Sequence, residues 1–223
     1  MTNYDEIIKN ERLRTAFDRY AEVLIERNEK VNLTAITEPA EIEIKHFADS
    51  LAAVDLIKEG ARVLDVGSGA GFPGIPLGIV RDDITVTLLD SVNKKVSFMN
   101  DVIADLGLNN LSAVHARIED FPHKEEFDAV VSRAVAGLAT LVEYALPFVK
   151  IGGTFIAYKS EKAEAEVEAA ARAIALTGGR VREIREAFVA PGLTRKLIII
   201  DKIAPAPPKY PRGKNLPRLK PLA

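Results

Sequence analysis

The stretch DVGSGAGFPG, residues 65–74, constrains what this chain can fold into more than any other part of it. Four of its ten residues are glycine, and it directly follows the apolar run at 63–64. Glycine loses more backbone freedom on folding than any other residue, so such a run implies main chain that must be bare or must take positive φ. A strand that enters a glycine turn and leaves it as a helix opens a βαβ unit. The residues beyond repeat the alternation. RVLDVG, ITVTLLD, LSAVHA, FDAVVSR and GTFIAYK read as strands. PGIPLGIV, NKKVSFMNDVIADLG, LATLVEYALPFV and EKAEAEVEAAARAIALTGG read as helices, the second with Val96, Met99, Ile103 and Leu106 on one face. RVREIREAFV and KLIIID, separated only by APGLTR, read as a closing hairpin. The fold expected is α/β: a mostly parallel sheet covered on both faces, with an antiparallel C-terminal pair at its edge.

Two helices precede this region. Leu13, Phe17, Tyr20 and Leu24 fall on one face of the first, which NEKVNLT interrupts. Pro39 opens the second, with Ala40, Ile44, Phe47, Leu51 and Val54 as its stripe and Gly60 as its stop. At the other end, APAPPKYP (204–211) reads as an extended linker. Three segments follow: a helical extension over 1–60, a ligand-binding domain over 61–203 and a proline-rich basic tail over 204–223.

Charge narrows the partners. The 223 residues carry a net charge of only −2, yet no acid follows Asp201 while Lys202, Lys209, Arg212, Lys214, Arg218 and Lys220 do. A basic end on a near-neutral chain suits an anionic partner such as RNA phosphates, which Lys209, Arg212, Lys214 and Arg218 would meet; a solvated tail is the alternative. The absence of cysteine removes disulfides, thiolate nucleophiles and cysteine metal sites. His46, His115 and His123 are not at zinc-ligand spacing, so no metal is expected. No apolar run approaches the ~18 residues of a membrane span, and the charged start MTNYDEIIKNERLR is not a signal peptide. A cytoplasmic protein is the expectation.

Several readings compete for the glycine loop. A phosphate-binding loop needs Lys and Ser or Thr after its last glycine, whereas Ile75 follows Gly74. A dinucleotide fingerprint fits Gly69, Gly71 and Gly74, but it puts Pro73 where a pyrophosphate would take a free N–H. Asp65 with Gly67, Gly69 and Gly71 gives D-x-G-x-G-x-G, the spacing used by S-adenosylmethionine (SAM) enzymes. A tight turn without a ligand is the remaining reading. Asp90, ending the second strand, can accept from both hydroxyls of an adenosine ribose, or cap the next helix with Ser91. After the third strand, Ile118 and Glu119 in HARIED can bracket an adenine, with an apolar contact on its face and an acceptor near its amino group.

The methyl acceptor is narrowed by what is missing. The fourth strand ends in Ser132, Arg133 and Ala134, not in the Asn/Asp-Pro-Pro-aromatic motif of exocyclic-amine methylation. Methylation at pyrimidine C5 needs a cysteine nucleophile. Guanine N7 remains among the targets: an in-plane acceptor that can attack without first losing a proton.

NLTAIT (32–37), HFADSL (46–51), DVGSGAGFPGIPL (65–77), LLDSVNKK (88–95), FDAVVSRAVA (127–136) and YPR (210–212) together resemble the small-subunit ribosomal RNA methyltransferase G family, also called RsmG or glucose-inhibited division protein B. The resemblance runs from about residue 20 to the C-terminus. It implies a class I SAM-dependent methyltransferase (Rossmann-like) that makes N7-methylguanosine in 16S ribosomal RNA, free or within an assembling small subunit. By resemblance, Gly67 and Phe72 contact SAM, as does the backbone from Ser91 to Asn93. Ile118 and Glu119 sit at the adenine, and Arg133 near the methionine moiety or the target base, where it is the candidate catalytic residue. Two departures stand out: Ser160 where the family's fifth strand ends in glycine, and a tail glycine, Gly213, earlier than the family pattern places it. His46, Asp49 and Ser50 lie on one side of a helix, which suits a docking network or a ligand contact better than a hydrolase triad. Two other classes stay open. An NAD-dependent dehydrogenase would use the Gly69 frame, and a non-catalytic RNA-binding protein would merely sense SAM.

Overall fold

In the computed structural model, which describes residues 4–222, the expected strands assemble into one sheet. They are β1 (Arg62–Val66), β2 (Thr85–Asp90), β3 (Leu111–His115), β4 (Phe127–Arg133), β5 (Val149–Lys159), β6 (Gly179–Ala190) and β7 (Leu193–Lys202), in the order β3-β2-β1-β4-β5-β7-β6. The first five are parallel; β7 runs antiparallel to both β5 and β6. The order reverses between β1 and β4. That is where doubly wound sheets leave a crevice at their carboxyl ends, and the glycine loop emerges there.

Helices α4 (Gly74–Val80) and α5 (Asn93–Asp105) cover one face of the sheet together with the N-terminal helices, while α6 (Leu138–Ala145) and α7 (Ala163–Leu176) cover the other. Pro147 ends α6 early, so the last turn of the expected helix is a 3-10 turn over Leu146–Phe148. In α5, Val96, Met99 and Val102 are buried with Phe98, whereas Ile103 and Leu106 are only half-buried.

The N-terminal segment corrects two expectations. After α1 (Tyr4–Ile7), α2 spans Glu11–Val31, so residues 28–31 stay helical; the stop is Asn32, left-handed at φ 52°. Asn10 caps its start, accepting from the N–H groups of Arg12 and Leu13. The Pro39 helix is not uniform: α3 (Pro39–Ile42) passes into a π-helical turn over Glu43–Ala48 and then a 3-10 stretch over Leu51–Leu56. A π turn advances five residues per hydrogen bond, and Ile42 to Phe47 is a five-residue step. The expected stripe therefore breaks. Ala40 and Ile44 face solvent, Ile44 at 40% exposure, while Ile42, Phe47, Leu51 and Val54 are buried. Phe47 packs on Phe17 and Tyr20 of α2, with ring centroids 5.0 and 5.3 Å away.

The proline-rich segment is not a free spacer. It runs back along the molecule, where Lys124 Nζ donates to the carbonyls of Pro208 and Tyr210 and Tyr210 is buried. The chain then docks on α6. Arg212 grips Glu143, and Thr140 Oγ1 donates to the carbonyl of Pro217 in the short helix α8 (Leu216–Leu219).

Candidate cofactor cleft and adjoining cationic cleft

Gly67 and Gly69 both take positive φ, at 72° and 62°. A Cβ on Gly67 would stand 2.6 Å from Val135 Cγ2, so the loop closes on the end of β4 only because that position is bare. The N–H of Gly69 donates to Asp90 Oδ2 and that of Val92 to Asp90 Oδ1, each at 2.9 Å. Asp90 therefore ties the glycine loop to the start of α5, and each oxygen keeps further acceptor capacity. Beneath the loop, Asp65 Oδ2 accepts the N–H of Gly74 at 2.9 Å while its Oδ1 is buried with no partner. Burial pushes this carboxyl up to about 7.

These groups border a cleft of about 420 Å³. Of the residues expected at a cofactor, Gly67, Asp90, Ser91, Ile118 and Glu119 line it. Gly69 reaches it through Asp90. Gly71, Phe72 and Asn93 are not among its lining residues. A side chain on Gly71 would strike the Tyr20 hydroxyl and Ile75. Phe72 turns inward as well, against Tyr20 (5.5 Å) and His46 (4.4 Å). Asn93 opens α5 with its side chain in solvent. The sequence reading missed Lys95, Val135, Tyr144 and Asn215, and it assigned Arg218 only to RNA, although Arg218 lines this cleft. The cleft fits SAM: its volume is in the range of small-ligand pockets, the bare backbone of Gly67 lines it, Asp90 offers paired acceptors and Ile118 an apolar wall.

A second cleft, of about 430 Å³, lies past the end of β4. Ala134, left-handed at φ 57°, lines both clefts. Arg133 faces the second. Its Nη1 donates to Asp49 Oδ2 at 2.7 Å, and its guanidinium lies 5.0 Å over the Phe72 ring. Arg195 Nε holds the other oxygen, Asp49 Oδ1, at 2.6 Å. Arg133 Nη2 stands 3.3 Å from His46 Nδ1. Arginine has only donors, so Nδ1 accepts; the proton is then on Nε2, which donates to Thr34 Oγ1 at 2.8 Å. Burial, and secondarily Arg133, lowers this histidine to about 4, which keeps it neutral against Phe72. Ser50 donates to the carbonyl of His46, and its own carbonyl accepts from Tyr158 at 2.6 Å. HFADSL is thus a network that fixes Arg133 and docks the N-terminal helices. Lys159 Nζ holds the carbonyl of Ala136 and Glu166 Oε2, which also caps the N–H of Leu138. The lining carries Lys45, Arg133, Lys159 and Arg195 against Asp49 and Glu166, an excess of cations.

The basic tail divides. Lys209 and Lys214 are exposed. Arg212 is not free for phosphate: its Nε and Nη2 are held by the fully buried Glu143 carboxylate at 2.8 and 2.7 Å. Lys202 is buried, donating to the carbonyls of Leu146 and Thr177. Among the described residues no cluster of His, Cys, Asp or Glu is placed to hold a metal ion, and no helix is long and apolar enough to cross a membrane.

A family model described as rRNA small subunit methyltransferase G matches residues 13–196. The chain is 46% identical over 217 residues to the ribosomal RNA small subunit methyltransferase G of Desulforamulus reducens, covering 93% of this chain and 90% of that one. It is 47% identical to that of Desulfitobacterium hafniense, with 92% and 88% covered. In fold it is similar to a SAM-dependent methyltransferase from Aquifex aeolicus (TM-score 0.56, 18% identity, 74% of this chain and 94% of that one). It is also similar to M. jannaschii TYW2 in complex with AdoMet (TM-score 0.57, 18% identity, 70% and 75% covered).

Proposed function

The chain belongs to the rRNA small subunit methyltransferase G family, and from that premise we propose how its residues carry out methyl transfer to N7 of a guanine in 16S ribosomal RNA. It is a SAM-dependent methyltransferase, and the cytoplasm, where small subunits assemble, is its place of work. The observation that carries the assignment of roles is the junction at Ala134, where the cleft lined by Gly67, Asp90, Ile118 and Glu119 opens beside a cationic one. The bound cofactor supplies an electrophilic methyl group on its sulfonium.

In the first cleft, Asp90 takes the ribose hydroxyls, Ile118 and Glu119 the adenine, and the bare backbone at Gly67 and Gly69 the close approach. In the second, the cationic lining draws in the nucleotide. Guanine N7 carries a free lone pair, so no base has to remove a proton. Alignment and exclusion of water are what the chain contributes. Arg133, fixed by Asp49 and His46, donates to guanine O6 and so sets the face of the base without placing its charge on N7. The helices between residues 4 and 56 cover the sheet and supply this network. Residues 204–223 bring exposed cations to the RNA backbone.

Incubation with labelled SAM and small-subunit RNA should yield N7-methylguanosine. Its charged ring makes the chain cleavable by aniline after reduction, and methyl incorporation without such a cleavage site would refute the N7 assignment. Arg133→Ala should lower kcat by up to about 100-fold with the KM for SAM nearly unchanged. A rise in that KM alone would move Arg133 to the cofactor.

A further inference from the structure

The basic C-terminal segment reads from sequence as an RNA-binding tail, yet two of its residues, Asn215 and Arg218, line the cofactor cleft. Three features hold them there. Arg212 is anchored to the buried Glu143 of α6 through both its side chain and its backbone N–H, the latter at 2.9 Å. Lys214 and Asn215 then both take left-handed backbone, each at φ 57°, which turns the chain back on itself. Beyond the turn, α8 is fastened by the Thr140–Pro217 bond, and Tyr144 Oη donates to Asn215 Oδ1 at 3.4 Å. The Arg218 guanidinium is thereby carried to the carbonyl of Val135, 3.4 Å away, at the end of the cleft where Val135 closes on Gly67. Apart from the carbonyl of Val135 its guanidinium meets the Tyr144 hydroxyl, a neutral group, and arginine's five N–H donors leave others for a ligand.

We propose that Arg218 is a cofactor-binding residue and that the Arg212–Glu143 clasp positions it, so that the C-terminal segment forms a wall of the SAM cleft. The inference rests on the assignment of that cleft to SAM. It requires the tail to contribute to cofactor affinity with no RNA present. By thermodynamic reciprocity, the cofactor must in turn hold the tail down.

The test is calorimetric titration of the full chain with S-adenosylhomocysteine, without RNA, alongside trypsin digestion after Arg212, Lys214 and Arg218. Arg218→Ala should weaken binding at least tenfold with an unchanged melting temperature of the ligand-free protein, and Arg218→Lys should restore part of the loss. Arg212→Ala should reproduce the loss without altering any group in the cleft. Saturating S-adenosylhomocysteine should slow tryptic cleavage of the wild-type tail. If Arg212→Ala does not fold, Arg218→Ala decides alone, because that side chain is exposed. Arg218→Ala binding as tightly as wild type overturns the proposal. Wild type that fails to bind S-adenosylhomocysteine at all overturns the assignment of the cleft itself.

Discussion

Asp65 sits fully buried under the glycine loop with one oxygen bonded to Gly74 and the other unpartnered. Burial is the main cause that raises its pKa from 3.8 to about 7, with Asp90 nearby adding to the rise and Arg133 opposing it. Between those two values the folded state binds more protons than the unfolded chain. Its contribution to stability is therefore fully present below about pH 4 and is lost as the pH climbs to about 7. The size is on the order of a few kcal/mol. His46 acts in the opposite sense, since its folded value of about 4 lies below the ordinary 6.5; its contribution is present above pH 6.5 and is lost as the pH falls toward 4. The raw pH profile mixes the two, and the difference between wild type and Asp65→Asn separates them. Urea unfolding at several pH values between 4 and 7.5 should show wild type losing ground to the variant as pH rises. Parallel profiles would mean that Asp65 does not titrate in this range.

The element joining the N-terminal helix to the sheet shows how a periodicity argument can succeed and mislead within one segment. Counting in fours from Ala40 reaches Ile44, and both lie outside; the π turn adds a residue, and the apolar face resumes at Phe47. No α-helical period can reveal such a turn, because its cause is tertiary. Phe47 reaches Phe17, Tyr20 and Phe72, while the same turn carries His46 and Asp49 to Arg133. The two registers make opposite predictions. Phe47→Ala should cost about 3–5 kcal/mol, whereas Ile44→Ser should stay within about 0.5 kcal/mol of wild type in chemical denaturation. A large loss from Ile44→Ser would restore the regular helix. The tail gives a second case: its left-handed positions are Lys214 and Asn215, not Gly213, so the displaced glycine does not serve as the turn residue. Asparagine tolerates that conformation through its short polar side chain.

Across the whole molecule, what the sequence made legible follows the range of the interactions involved. The mostly parallel sheet with its antiparallel edge pair, and the meeting of Asp90, Ile118 and Glu119 at one cleft, follow from local pattern and the topology of parallel sheets. Tyr144, Asn215 and Arg218 were not legible as cleft residues, because Arg212 and Glu143, 69 residues apart, bring the tail to α6. The family resemblance implies that Phe72 contacts the cofactor; its ring packs against Tyr20 and His46, contacts no local pattern announces. The same distinction alters what the tail's charge can do. Six cations follow Asp201 in sequence, but Lys202 is buried against backbone carbonyls, with its pKa lowered by burial to about 8, and Arg212 is neutralised by Glu143. For the proposed phosphate contacts, exposed groups such as Lys209 and Lys214 remain. Each contact to single-stranded RNA adds about 0.7 to the slope of log affinity against log salt. The Lys209→Ala/Lys214→Ala double variant should therefore flatten that slope by about 1.4 in RNA titrations run from low to physiological salt. Lys202→Met removes one formal charge, half of what the double variant removes, from a buried position and should leave the slope as it is. If Lys202→Met flattened it by about half as much as the double variant, in proportion to the charge removed, net charge acting at long range, and not contacts by the exposed tail, would govern RNA binding.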